Sequence, residues 1–150
     1  MSYPTQILPD HHRHCDDLFV AAEEAVQSGE WAAATAAFER FQAQMLAHFS
    51  AEEDLLFPAF EAAAGSASGP TRVMRMEHDQ MRPLLAQLGA ACAAHDGDAY
   101  AGAAETLLIL MQQHNMKEEN ILYPMCDQAL GGEAERVGAK MGAMLEKGHA

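Results

Sequence analysis

Positive charge is scarce in this 150-residue sequence. Nine Lys and Arg stand against 22 Asp and Glu, a formal net charge of −13. A phosphate backbone recruits Lys and Arg, so no nucleic-acid partner is expected, and an anionic membrane surface is disfavoured for the same reason. Acidity of this kind ordinarily marks a solvated surface. Cysteine is scarce too. Cys15, Cys92 and Cys126 are an odd set of three with no CxxC spacing. They indicate neither a disulfide framework nor a cysteine zinc site. A reducing cytosol is the simplest compartment for them. Long apolar runs are missing. No stretch approaches the roughly 18 apolar residues that mark a membrane span. Residues 1–10 show neither the basic n-region nor the apolar h-region of a leader. Valine, isoleucine and threonine are sparse, which argues against a sheet.

What is present favours helix. About half the residues, 49%, are apolar, and alanine, methionine and leucine dominate. The length suits a single domain with a real core. Turn residues divide the chain into four long helical segments, expected over about 10–27, 30–64, 71–94 and 98–130. Asp10 and Asp98 are the expected N-caps. The run Gly65-Ser66-Ala67-Ser68-Gly69-Pro70 is the plainest loop, and a short, Gly-interrupted tail helix follows Gly131-Gly132. Short loops between long helices predict an all-α, antiparallel up-down-up-down four-helix bundle. Pro58, Pro83 and Pro124 fall inside the helical patterns, where each should kink or end its helix.

The chain also repeats itself. His48-Phe-Ser-Ala-Glu52-Glu53 and Leu56-Phe57-Pro58 match His114-Asn-Met-Lys-Glu118-Glu119 and Leu122-Tyr123-Pro124, offset for offset. Upstream, His14 precedes His48 and His78 precedes His114 at similar distances. Two helical hairpins facing each other would bring such paired sites together near a pseudo-two-fold axis.

These ionisable residues lie on stripes that should face the core. Apolar positions alternate in steps of three and four. The stripes read Phe38, Phe41, Met45, His48, Glu52, Leu55, Ala59; Thr71, Met74, His78, Met81, Leu85, Leu88, Cys92; and Ala104, Leu107, Met111, His114, Glu118, Ile121, Met125. The first helix reads, less cleanly, Ile7, His11, His14, Leu18, Ala21, Ala25. Burying imidazoles and carboxylates alone costs several kcal/mol each, so they are kept inside when paired or bound to metal. Residues four apart share a helix face about 6 Å apart. His48-x-x-x-Glu52 and His114-x-x-x-Glu118, with His14 and His78, would therefore converge on one layer. Imidazole nitrogen with carboxylate oxygen suits iron, manganese or zinc. His11 is a reserve ligand. His12, His95 and His149 read as surface residues. Glu53, Glu119, Glu77 and Asp79 could orient the imidazoles or face solvent.

The set His14, His48-x-x-x-Glu52, His78 and His114-x-x-x-Glu118 resembles the hemerythrin-like, or HHE cation-binding, family. Within it, the chain up to about Leu130 is most similar to the di-iron domain of the iron–sulfur cluster repair proteins. The resemblance implies two non-haem irons with an oxo or hydroxo bridge. His14, His48, His78 and His114 would be terminal ligands, and Glu52 and Glu118 would bridge. The sequence departs from the oxygen carriers. Arg82 and Pro83 stand where a fifth histidine would fall, and His114-x-x-x-Glu118 replaces His-x-x-x-x-Asp. The paired cysteines of the repair proteins have no counterpart.

The expected function is binding of, or reaction with, a small diatomic or peroxide: oxygen, nitric oxide or hydrogen peroxide. The setting would be oxidative or nitrosative stress, or iron handling. The alternatives are a non-catalytic module that binds or senses oxygen or iron, and a structural or zinc-bearing bundle. A homo-oligomer is compatible with all of these.

Overall fold

A computed structural model describes residues 3–65 and 69–148. The loop positions 66–68 and His149 lie outside the described residues. Among those described there are helices and no strands. Helix α1 spans Pro4–Gln27, α2 Trp31–Ala51, α3 Phe57–Ala64, α4 Pro70–Ala94, α5 Gly97–Lys117, α6 Tyr123–Leu130 and α7 Ala134–Gly148. A π-turn, Glu52–Leu56, joins α2 to α3, and a second, Glu118–Leu122, joins α5 to α6. The four long rods are thus α1, α2–α3, α4 and α5–α6. α1 packs on α2, α2 on α4, α4 on α5 and α5 on α1, which closes the expected bundle. No described helix is long and apolar enough to cross a membrane.

Three boundaries differ from expectation. Helix α1 starts at Pro4 rather than near Asp10. Proline is at home in a first turn, where its missing N–H is not needed. The early turns are held by packing, because Leu8 is fully buried in the cluster that also holds Met141 and Leu145 of α7. At the third connection Asp96, not Asp98, is the N-cap; its side chain accepts from the Ala99 N–H at 3.0 Å. His95 supplies the left-handed residue of that turn (φ 53°). Its ring lies parallel to Trp31, with centroids 5.2 Å apart, so the two hairpin ends are pinned together. Finally, the tail forms a full helix, α7, against α1, α2 and the first π-turn.

The prolines act through the π-turns. Pro58 and Pro124 follow them directly, in the first turns of α3 and α6. The Phe57 N–H reaches back five residues to the Glu52 carbonyl, and Tyr123 does the same to Glu118. The wider turn accommodates a proline that could not donate in a regular helix. Each π-turn also inserts one residue into the buried stripe. Leu56 and Phe60 are buried where Leu55 and Ala59 were expected. Leu122 and Cys126 are buried, while Ile121 and Met125 face outward at 55% and 39% exposure. Pro83 leaves α4 unbroken, and the α4 stripe from Thr71 to Cys92 is buried as expected.

The core lies in two blocks. One holds Phe19, Phe38, Phe41, Leu85, Leu88 and Leu107 toward the hairpin ends. The other holds Leu8, Leu56, Phe57, Leu122, Tyr123 and Met141 toward α7. Between them runs a layer of buried histidine and glutamate.

Candidate metal centre

The layer is built by the two His-x-x-x-Glu pairs at the ends of α2 and α5. One helical turn brings each glutamate under its histidine, and the π-turn begins at that glutamate. Glu52 and Glu118 are 0% exposed. Glu52 Oε2 lies 3.4 Å from His48 Nε2, and its Oε1 lies 3.0 Å from His78 Nε2. Glu118 Oε1 lies 3.2 Å from His114 Nε2 and 3.1 Å from His12 Nε2. Each carboxylate therefore touches a histidine of its own hairpin and one of the other.

Two groups follow, each with ligand atoms within 4.8 Å of one another: His12, His48, Glu52 and Glu118, and Glu52, His78, His114 and Glu118. The two carboxylates belong to both. We refer to the metal positions these groups define as A and B, respectively.

The structure brings together His48, Glu52, His78, His114 and Glu118 of the expected residues. His14 lies outside both groups. It is half-buried on the wall of a cavity of about 570 Å³ between α1 and α7, shared with Asp10, His11, Gly142, Leu145 and Glu146. His12, expected to point outward, is 5% exposed and occupies the fourth imidazole place. The reason is the phase of α1. Its buried stripe runs Leu8, His12, Cys15, Phe19, Ala22, Val26, one residue on from the expected one. A sequence signal for this existed. His12 precedes His48 by 36 residues, the separation of His78 from His114.

The layer's pseudo-symmetry is an offset of 66 residues: His12 with His78, His48 with His114, Glu52 with Glu118, Glu53 with Glu119. It extends to the outer contacts. His12 Nδ1 meets Glu119 at 2.6 Å, and His78 Nδ1 meets Glu53 at 2.6 Å. His114 Nδ1 meets Glu77 at 2.8 Å. Arg82, on α4, donates to Glu53 at 2.8 Å, and Lys117 pairs with Glu77. Donation from Nδ1 fixes each ring with Nε2 turned into the layer. Asp79 pairs with Arg82 at 2.8 Å.

Tyr123 was expected to be core packing. Its ring is fully buried, but its hydroxyl enters the layer. It donates to Glu52 Oε2 at 2.6 Å or Glu118 Oε1 at 2.8 Å, and lies 3.2 Å from His12 Nε2 and 3.3 Å from His48 Nε2. Phe57, its repeat partner, offers only a ring, stacked at 5.8 Å from His78.

The donor set fits metal ions. Two buried carboxylates are costly without positive charge, and among the described residues no Lys or Arg pairs with Glu52 or Glu118. Two buried atoms of the layer, His114 Nε2 and Glu118 Oε2, have no hydrogen-bond partner. Protons stand in when no cation is there. Burial opposes a charge on His114, but Glu118 and Glu52 push it up to about 9. His12 is raised likewise, burial being outweighed by Glu118 and then Glu52. Burial also opposes ionisation of Glu52, yet the imidazoles around it, His48 first, hold it well below the usual carboxylate range.

None of the curated proteins and none of the solved structures matches the chain. The profile of the hemerythrin HHE cation binding domain matches residues 3–126, which take in every residue of the two metal-ligand groups. With four helices, two shared carboxylates and two imidazole pairs in that span, the chain belongs to the hemerythrin HHE cation-binding domain family.

Proposed function

We propose that this protein is a non-haem di-iron protein whose centre takes up a small diatomic or peroxide (oxygen, nitric oxide or hydrogen peroxide) in oxidative or nitrosative stress or in iron handling. The ligands on this reading are His12, His48, Glu52, His78, His114 and Glu118. The observation that carries it is that Glu52 and Glu118 each lie within 3.4 Å of imidazoles from both hairpins. Such carboxylates could be shared by two cations, and a single metal would leave two imidazoles unused.

When bound, a di-iron pair supplies redox chemistry and coordination positions for a small ligand. The chain's own residues do the rest. Glu119, Glu53 and Glu77 orient three imidazoles through Nδ1. Phe49 stacks on His78 at 4.1 Å and Phe57 flanks it, so water is kept from that side. Tyr123 holds its proton against both carboxylates, since burial and the adjacent Glu118 and Glu52 raise its pKa well above the ordinary value. That hydroxyl is a hydrogen-bond donor aimed at whatever occupies the layer.

Elemental analysis of protein expressed with iron available comes first, followed by nitric oxide titration of the reduced protein. Close to two irons per chain and a changed iron spectrum are expected. One zinc, or no metal, withdraws the di-iron reading. Two irons with no response to nitric oxide withdraws the small-ligand part of it. Oxygen that binds and leaves without turnover favours the non-catalytic module, and rapid irreversible oxidation favours reaction.

A further inference from the structure

We infer that His11, held by Gln44, positions His48 and makes the two metal positions unequal. The inference rests on the reading that the layer binds two metals. Its basis is a break in the 66-residue pseudo-symmetry. The repeat partner of His11 is Glu77. Glu77 accepts the Nδ1 proton of His114 at 2.8 Å. His11 stands in the same relation to His48, with the two Nδ1 atoms 2.8 Å apart. Three of the four imidazoles thus face a carboxylate, and His48 alone faces another imidazole.

The proton positions follow from the partners. His11 Nε2 lies 2.8 Å from Gln44 Oε1. An amide oxygen only accepts, so His11 carries its proton on Nε2. Its Nδ1 is then the unprotonated nitrogen, which accepts from His48 Nδ1–H at 2.8 Å and lies 3.8 Å from Cys15 Sγ. That leaves the His48 Nε2 lone pair turned toward Glu52 and Tyr123, in the layer. The chain His48 to His11 to Gln44 is neutral throughout, with every donor pointing away from the layer. His11 is 6% exposed and Gln44 is 4% exposed, so water does not substitute easily for either.

A neutral acceptor draws less on an imidazole proton than a carboxylate does, so His48 is the weaker donor through Nε2. Position A, bounded by His12 and His48, has one carboxylate-backed imidazole. Position B, bounded by His78 and His114, has two. The metal at position A is therefore the more loosely held and the first to leave.

The test loads the whole chain anaerobically with ferrous iron and follows its release to a coloured ferrous chelator, with Mössbauer spectra of the loaded samples. The wild-type chain is expected to release its two irons in two phases and to show two quadrupole doublets of equal area. His11→Leu should loosen one iron by about 10–100-fold, the range for losing a partner of a ligating histidine, and leave the other unchanged. His11→Glu copies the Glu77 arrangement and should merge the two phases. Glu77→Leu should loosen the slow iron instead. Far-ultraviolet circular dichroism checks folding, and if His11→Leu does not fold, His11→Glu and Gln44→Leu carry the test. Release that is single-phase in the wild type, or unchanged in folded His11 and Gln44 variants, overturns the inference while leaving the di-iron reading intact. Fewer than two irons in the wild type overturns both.

Discussion

Glu52→Gln tests the shared-carboxylate geometry most directly. The amide is nearly isosteric and keeps an oxygen for the Tyr123 hydroxyl and a polar atom for His78 Nε2, now 2.6 and 3.0 Å from the two carboxylate oxygens. Packing around a fully buried side chain is thereby preserved. What the change removes is a ligand shared by both metal positions. A metal that binds only the folded chain stabilises it by about 4 kcal/mol at a free concentration a thousandfold above its dissociation constant. For a chain of this size each kcal/mol is about 2–4 °C in Tm. Losing one metal should therefore lower the Tm of the loaded protein by about 8–16 °C beyond any fall in the metal-free protein. Thermal unfolding of wild type and variant, each with metal and with chelator, isolates the difference. Equal losses with and without metal would refute the reasoning, because Glu52 would then be a packing residue.

Three further outcomes are expected. Without metal, the His114 imidazole is raised from 6.5 to about 9, since Glu118 and Glu52 outweigh burial. A raised pKa gives stability that is fully present below 6.5 and lost as the pH climbs through 9, so calorimetry should show the metal-free Tm falling across that window. A flat or rising Tm there contradicts the charge balance described for the layer. Tyr123→Phe removes a hydroxyl bonded to buried carboxylates and should cost the metal-free protein about 1.5–3 kcal/mol in urea unfolding, while the variant supplied with metal should still bind two ions. Met141→Ala, at a 0% exposed position of α7, should cost about 2–5 kcal/mol. A loss under 1 kcal/mol in the same assay would show α7 to be a loosely attached tail.

Much of the centre was legible because it is written twice. His48, Glu52, His114 and Glu118 stand at matching offsets, and α4 carries no irregularity, so His78 falls on a clean stripe. The first helix hid its phase. Its turns before Asp10 are held by α7, a partner far along the chain, and a stripe started one residue early puts His11 and His14 where the structure buries His12 and Cys15. The π-turns were illegible for a related reason. Nothing in the period of three and four announces an inserted residue, although Pro58 and Pro124, each six residues after the glutamate that opens its π-turn, now mark where the helices widen. The role of Tyr123 was hidden by its match to Phe57. The two rings share a place in the packing and differ by one hydroxyl, which sits among the four ligand side chains nearest it.

The division of the core into two oily blocks bears on how the chain comes apart. Among the described residues, the Phe41 and Leu88 block and the Leu56 and Tyr123 block are separate clusters, with the ionisable layer between them. With metal ions bound, that layer would be a weld, cross-linking four rods at one level. Stripped of its ions, it becomes a fault line, and backbone amides on either side are expected to exchange hydrogen with separate opening energies instead of a shared one. Metal occupancy would then govern whether the bundle behaves as one cooperative unit or as two.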